Sequence, residues 1–467
     1  MLIYERDDFM KNYYNKINQS WHFNTIIIMA QFTFLFLGLE YLFDNMMSLV
    51  TSQENVVLAQ NCVLGMSTIG FLLYFLIHRL LKNSMSKTYV MVANFISIFF
   101  MIMICQHISY GMTLLFGLLL FLFLGLIGSA VYYYAICHLH TRTYLARHVG
   151  ISYMLGILFQ FINNNFLNNM LVENIIFAIC LTYISFFLMK EKPSNHFQND
   201  FPNDNGHLRQ TTAILLVLLI VCMTFIFSTL DNVVTLVHAS GKVDIGQWPR
   251  IFLALSGLAA GFLFDLQQRK YMNLIMYCIM ILSTICIFVI DFGGSFLIGL
   301  LVFYISAGFF AVYFTTSFME LSCYMKETQL WAGMGRAVNN MTAVMMTQLS
   351  LTLVTDKQPL NKIIVILVLF VLISVVMFLY TSKRDILCQE KHDTDLKNKL
   401  ENIIELYSLT QRESEVLDKL VNSDDSLQEV AQNLYISKRT LERHISSIYK
   451  KTNTKSRIGL VRLYHES

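Results

Sequence analysis

Charged side chains are scarce in this sequence: Asp, Glu, Lys and Arg make up 14% of its 467 residues, while 55% are hydrophobic. An ordinary soluble domain carries about a quarter charged residues, so that class is excluded for most of the chain. Proline is nearly missing as well. Its four copies, Pro193, Pro202, Pro249 and Pro359, fall in loops or at a helix start, where the lost N–H matters little and no span is kinked. The nine cysteines are odd in number, scattered and without a CxxC pair, which argues for small packing residues over a disulfide framework. No small-residue cleavage site follows the mixed charges of Glu5, Arg6, Asp7, Asp8, Lys11 and Lys16, so the N-terminal segment reads as an uncleaved anchor. No nucleophile, paired acid or nucleotide loop stands out, and neither an enzyme nor a cofactor is expected.

What the chain has in abundance is long apolar runs, with 37 Phe and 25 Met. Spans of about the ~20 residues needed to cross a bilayer are predicted at 23–43, 56–77, 89–108, 112–135, 147–165 and 172–189. A second set follows at 212–230, 249–266, 271–290, 295–317, 331–354 and 363–380. Alternate loops carry Arg79, Lys82 and Lys87; Arg142 and Arg147; Lys190, Lys192 and Arg209; Arg269 and Lys270; and Lys326, whereas the other set has only Lys242, Lys357 and Lys362. Basic loops are retained in the cytoplasm, so both termini are expected there. Tyr132, Tyr133, Tyr134, Trp248 and Trp331 lie at span ends and suit interfacial anchoring. Cys137, His138, His140 and His148 match no familiar zinc spacing and fit an interfacial loop, so no metal is expected.

The first span ends in "FDNMMSLVTS" and the seventh in "LDNVVTLVHAS", pairing Asp44 and Asn45 with Asp231 and Asn232 at an offset of 187 residues. The two six-span sets are separated by nearly the same interval, which points to two related halves. Between spans eight and nine, "GFLFDLQQRK" holds Gly261, Asp265, Arg269 and Lys270. This stretch resembles the conserved loop of the major facilitator superfamily. The resemblance implies that Gly261 permits close helix packing and that Asp265 and Arg269 latch cytoplasmic helix ends across the half interface. The first-half copy, at Tyr74, His78 and Lys82, has lost both glycine and aspartate. A fold kept without a transporter's gating residues suits a receptor.

Polar groups in spans are costly in lipid and mark candidate functional positions. They are Glu40, Asp44, Asp231, Asn232, Glu320 and Arg336. Asp44 and Asp231 either cap helix ends or face a ligand. Glu40 and Arg336 lie deeper in their runs, where an inward cavity is the better explanation. The candidate ligand set is therefore Glu40, Asp44, Asp231, Asn232 and Arg336.

After Tyr380 the chain turns polar, with Leu396, Leu400, Ile403 and Tyr407 forming one helical stripe that either packs on the following domain or pairs with a second chain. Caps then predict three helices: Thr410 with Glu413, Ser426 with Glu429, and Ser437 opening the longest. The last two form a helix-turn-helix unit. Residues 401–429 hold eight acids against two bases, whereas residues 437–462 hold eight bases against Glu442 alone. Such a face is the footprint of a phosphate-backbone binder. A lipid-hugging tail is the competing reading, but Leu441, Ile445 and Ile448 suit a core stripe.

The strings "LTQRESEVLDKLV", "SLQEVAQNLYISKRTLERHISSIYKK" and "TKSR" resemble the LuxR-type DNA-binding domain from Leu409 to Leu460. The matching residues are Leu409, Thr410, Arg412 and Glu413, then Glu429, Val430 and Ala431, then Ile436, Ser437, Thr440, Leu441 and His444, then Ser456 and Arg457. By that resemblance Lys438, Arg439, Thr440, Arg443 and His444 face the major groove, while Lys450, Lys451, Lys455 and Arg457 hold phosphates. Asp424 replaces a usual glycine, and Glu442 a frequent base.

The expected fold is all-α: a twelve-helix polytopic membrane bundle of two six-helix halves and a four-helix LuxR-type domain. Expected boundaries are an N-terminal segment at 1–22, halves at 23–189 and 212–380, a central loop at 190–211, a linker helix at 381–408 and the DNA-binding domain at 409–467. The expected function is a bacterial inner-membrane transcriptional regulator that senses a small molecule and binds a palindromic operator as a homodimer, alternatively a secondary transporter with a regulatory tail.

Overall fold

In lipid every backbone N–H and C=O must find an internal partner, and helices satisfy that within each run. The computed structural model describes residues 2–81, 83–139, 144–167, 169–190, 206–239, 248–291, 296–355, 359–423 and 425–466, and among them helices are the only regular secondary structure. Lys82, His140, Arg142, Pro193, Pro202 and Asp424 lie outside the described residues.

The first half holds α1 (Leu2–Ser48), α2 (Gln53–Leu80), α3 (Asn83–Ile104), α4 (Tyr110–His138), α5 (Leu145–Phe166) and α6 (Met170–Lys190). The second holds α7 (Gly206–Ala239), α8 (Arg250–Phe264), α9 (Met272–Asp291), α10 (Phe296–Ser322), the single turn α11 (Thr328–Trp331), α12 (Met334–Thr355) and α13 (Pro359–Leu406). Nine stretches among the described residues are long and apolar enough to cross a membrane, and shorter apolar helices lie at Arg250–Phe264 and Met272–Ile285. The twelfth, α12, is less apolar because Arg336, Asn339 and Asn340 occupy it. The predicted span at 331–354 is corrected in one respect: the chain breaks at Ala332 and Gly333 before α12 begins. Gly333 lies so close to α2 and α4 that a Cβ there would meet Phe71 at 3.0 Å and the Ser129 backbone at 3.2 Å.

Packing repeats between the halves. The pairs α1 with α5, α2 with α4, and α3 with α4 recur as α7 with α12, α8 with α10, and α9 with α10. Across the halves, α5 meets α8 and α2 meets α12, again related pairs. The 187-residue offset between Asp44 and Asp231 is the sequence trace of this repetition. Small residues set the close approaches. A Cβ on Gly150 would lie 2.6 Å from the Gly257 carbonyl and 2.7 Å from the Gly261 Cα, which is how α5 and α8 touch.

The chain divides into two units, Met1–Thr381 and Ser382–Ser467. The second contains the end of α13, then α14 (Gln411–Asn422), α15 (Leu427–Asn433), α16 (Lys438–Thr452) and α17 (Arg457–Glu466). Thr410 and Ser426 each complete a capping box, with Glu413 and Glu429, and Ser437 accepts from the Thr440 N–H. Asn453 ends α16 in the left-handed conformation at φ 55°, as Asn tolerates. The core gathers Val416, Leu417, Leu420, Val430, Ala431, Leu441, Ile445, Ile448, Leu460 and Tyr464. Ile403 is 1% exposed within that core, and Leu396, Leu400 and Tyr407 pack against it. The Tyr464 hydroxyl donates to the Leu396 carbonyl at 2.9 Å. Of the two destinations open to the linker stripe, this unit's own core is the one it takes.

Candidate functional site

Two sites take shape, one in each unit. In the second unit, α16 turns Leu441, Ile445 and Ile448 into the core, so the opposite face must be exposed. That face presents Lys438, Arg439, Thr440, Glu442, Arg443 and Lys450, all exposed, with His444 half-buried. A helix with this split is built to enter a groove, and Glu442 sits between Arg439 and Arg443 on it. Lys455 is exposed beyond the helix end.

Two of the expected phosphate holders also make bonds within the domain. Lys451 donates to Glu413 at 2.7 Å and to the Ser408 carbonyl at 3.0 Å. Arg457 donates from Nε to the Leu420 carbonyl at 2.9 Å, from Nη1 to the Asp425 carbonyl at 2.6 Å, and from Nη2 to the Ser423 carbonyl. A guanidinium satisfies the orphan carbonyls at the end of α14, the favoured place for a cation. Both charges thus have partners inside the domain, whereas Lys450 and Lys455 are exposed.

Glu413 was read from the sequence only as a cap. In the fold it also accepts from Ser447 of α16 at 2.6 Å, as well as from Lys451 and from the Thr410 backbone. Burial pushes its carboxyl up, but the hydrogen bonds from Lys451, Ser447 and Thr410 outweigh this and hold it down at about 2. Arg412 reaches the Leu434 carbonyl at 2.7 Å and pairs with Glu415, closing the end of α15 onto α14. The Leu-Thr-x-Arg-Glu opening is therefore the clamp that sets the recognition helix.

In the first unit a cavity lies among α1, α2, α5, α7, α8, α10 and α12. One lobe, of about 150 Å³, is bordered by Glu40, Tyr153, Asp231, Arg336, Asn339 and Asn340. An adjoining lobe of about 140 Å³ shares Glu40, Tyr153 and Asp231 and adds Asp44, Gln60 and Arg250. The expected ligand residues Glu40, Asp44, Asp231 and Arg336 thus converge on one space. Asn232 does not border it. That side chain accepts from Asn61 at 3.0 Å and donates to the Ser350 hydroxyl, a buried bridge from α7 to α2 and α12. Glu40 accepts from Gln60 at 2.9 Å. The Arg336 guanidinium lies 5.3 Å from the Phe36 ring centre and 5.2 Å from that of Phe314, a cation–π setting. Arg250 and Gln60 were missed by sequence reading. Arg250 falls at the very start of its predicted span and opens α8, and an uncharged Gln gives no signal in an apolar run.

Of the expected latch residues, Asp265 reaches across the halves to α5. Asp265 accepts from the Ala146 and Arg147 N–H groups at 3.2 and 2.8 Å, capping α5 from the loop after α8. Arg269 donates to Asp265 at 3.3 Å and to Glu320 at 2.9 Å. Gln267, Gln268 and Arg269 all adopt positive φ, at 45°, 54° and 68°, a tight left-handed turn that folds Arg269 back onto the aspartate. Gly261 lies against the Ala146 carbonyl and Gly150. At the first-half copy an aromatic cluster stands instead, with Tyr74, Tyr133 and His78 rings 5.2 to 6.3 Å apart.

Residues 407–464 match the family described as bacterial regulatory proteins, luxR family. The transporter FucP of the major facilitator superfamily, in its outward conformation, is 10% identical, with a TM-score of 0.53 over 78% of this chain and 99% of that one. The E. coli fucose:proton symporter FucP aligns over the same shares at 10% identity and 0.50. The human organic anion transporter MFSD10 (TETRAN) aligns at 12% identity and 0.50 over 79% of this chain and 99% of that one. No curated protein sequence matches the chain. At such identities the likeness speaks for fold alone. The chain is a fusion of a major-facilitator-like multi-pass membrane fold with a LuxR-type helix-turn-helix domain at its C-terminal end.

Proposed function

We propose that the chain is a membrane-embedded one-component transcriptional regulator, in which the transporter-like bundle senses a small molecule and governs DNA binding by the tail. The observation that carries this reading is the presence, in one polypeptide, of an exposed basic recognition helix and a charged cavity inside a two-half bundle. The excess of Lys and Arg in alternate loops supports a bacterial inner-membrane setting with both termini cytoplasmic, where DNA is accessible. A helix-turn-helix of this kind fits a palindromic operator read by a homodimer.

Sensing requires that the ligand bind two arrangements of the halves unequally. The α5–α8 contact supplies an element able to have two states, because Asp265, braced by Arg269, binds the start of α5 through two charged hydrogen bonds that a rocking motion would break. The same latch favours, as a second reading, a transporter with a regulatory tail. Within the second unit, the residues that precede the helix-turn-helix pack on its core, so they are the part of the tail through which a signal from the bundle would act.

The test uses residues 382–467, which enclose a complete core, on DNA from upstream of the chain's own gene. Preferential retention over shuffled competitor supports the reading. Equal retention of both DNAs, or none at low salt, removes it.

A further inference from the structure

The cavity's charge pattern specifies more than a pocket. Its two lobes are lined by three carboxylates, Glu40, Asp44 and Asp231, and by two guanidinium groups, Arg250 and Arg336. Opposite charges this deep normally pair, since burying either sign alone is expensive. Among the described residues, none of these five forms an ion pair. Several of their polar atoms, and one of Gln60, are buried without a hydrogen-bond partner: Asp44 Oδ1, Gln60 Oε1, Arg250 Nε and Arg336 Nε. Asp44, Gln60 and Arg250 are 5%, 5% and 8% exposed, so these are built positions in the bundle and not surface groups.

The arrangement is also polarised. Glu40 and Asp231 stand at the waist common to both lobes, while Arg336 belongs to the lobe bounded by Phe227, Phe310 and Phe314. Held over the Phe36 and Phe314 rings, the Arg336 guanidinium has its planar fork fixed in place, the form in which arginine recognises a carboxylate. Three acids and two bases line the space, and among the described residues Arg336 has no carboxylate within ion-pair distance, so a ligand that carries both signs of charge finds a partner for each. The room, about 150 and 140 Å³ in the two lobes, fits a molecule of amino-acid size and not a peptide or a lipid.

We propose that the cavity binds a small zwitterion of the amino-acid class, with its carboxylate on Arg336 and its ammonium on Glu40 and Asp231. This ligand class deepens the sensor reading and rests on it only for the consequence of binding, not for binding itself.

The test measures binding by the full chain in lipid nanodiscs. Four probe sets are compared: free L-amino acids, the same amino acids as C-terminal amides, the same as N-acetyl derivatives, and neutral hexoses. Free amino acids are expected to include the tightest binder. Arg336→Gln is expected to weaken that binder by about 10- to 100-fold, the effect of one charge-assisted contact, and to leave its amide unchanged. Arg336→Lys should restore part of the loss, which a merely misfolded variant would not do. Glu40→Gln should weaken the free acid and the amide alike. Tightest binding by an amide, an N-acetyl derivative or a hexose, or no binding by any free amino acid, overturns the proposal. So does an Arg336→Gln loss that is equal for acid and amide. DNA retention measured on the same samples separates the two readings. A hexose that binds and alters DNA affinity sinks the zwitterion and spares the sensor. An amino acid that binds without altering DNA affinity does the reverse.

Discussion

At Glu413 one carboxylate caps α14, anchors Ser447 and receives Lys451, so its charge ties the first helix of the tail to the recognition helix. Its pKa lies at about 2, below the unfolded value of 4.5. For a depressed carboxyl the stabilisation is complete above the unfolded value and is lost as pH falls through the folded one. Acid titration of residues 382–467 by circular dichroism is therefore expected to show stability falling between about pH 4.5 and pH 2, and Glu413→Gln should flatten that dependence. On the opposite face the prediction divides by residue. Arg443→Ala should relax base preference, whereas Lys450→Ala should weaken all DNA about equally and reduce the salt slope by about one. Arg457→Ala should instead lower the unfolding midpoint, because its guanidinium holds three carbonyls of its own domain. From sequence, the basic residues of this region were all visible, but a count of charge does not separate an exposed lysine from an arginine turned onto a helix end. Only the position of Ser423 and Leu420 beside Arg457 makes that distinction.

The helices themselves were well marked. Capping boxes at Thr410 and Ser426 gave both starts in the tail, since Ser or Thr followed three residues on by Glu satisfies two orphan N–H groups at once. Removing one hydroxyl, as in Thr410→Ala, should cost about 1 kcal/mol in urea unfolding. The apolar stripe of the linker was equally visible, but a stripe states that a face is buried and not against what. Ile403 now answers it from within the tail's core, and Ile403→Ala should cost about 2–4 kcal/mol in the same assay. In the membrane unit, "GFLFDLQQRK" announced the turn after α8, yet its partner, the N-terminus of α5, lies 119 residues away in sequence, from Ala146 to Asp265. No local pattern reveals such a pairing. Asp265→Asn keeps the shape and removes the charge, so hydrogen exchange at the Ala146 and Arg147 amides should accelerate, and unchanged exchange would remove the latch.

Across the whole molecule, the two modules were legible because each writes its own pattern: runs of spanning length in one, sharply sorted charge and caps in the other. The duplication was legible through Asp44 and Asp231, and the paired helix contacts of the two halves carry it into three dimensions. The cavity was legible only in part. Glu40, Asp44, Asp231 and Arg336 stood out as charges inside apolar runs, but Arg250 sat at a span end and Gln60 carried no charge, so the full set of polar groups around the cavity emerged only from the fold. The central claim is that occupancy of this cavity changes DNA binding by the tail. It is tested most directly by titrating the full chain in nanodiscs with operator-containing DNA, with and without a saturating amino acid that binds it. A change in DNA affinity of about 5- to 150-fold, the range of ordinary coupling between sites, is the predicted result, and it should vanish in Arg336→Gln. Identical DNA affinity with the cavity filled and unfilled, together with uptake of that amino acid by vesicles containing the protein, would contradict the account and return the chain to a transporter.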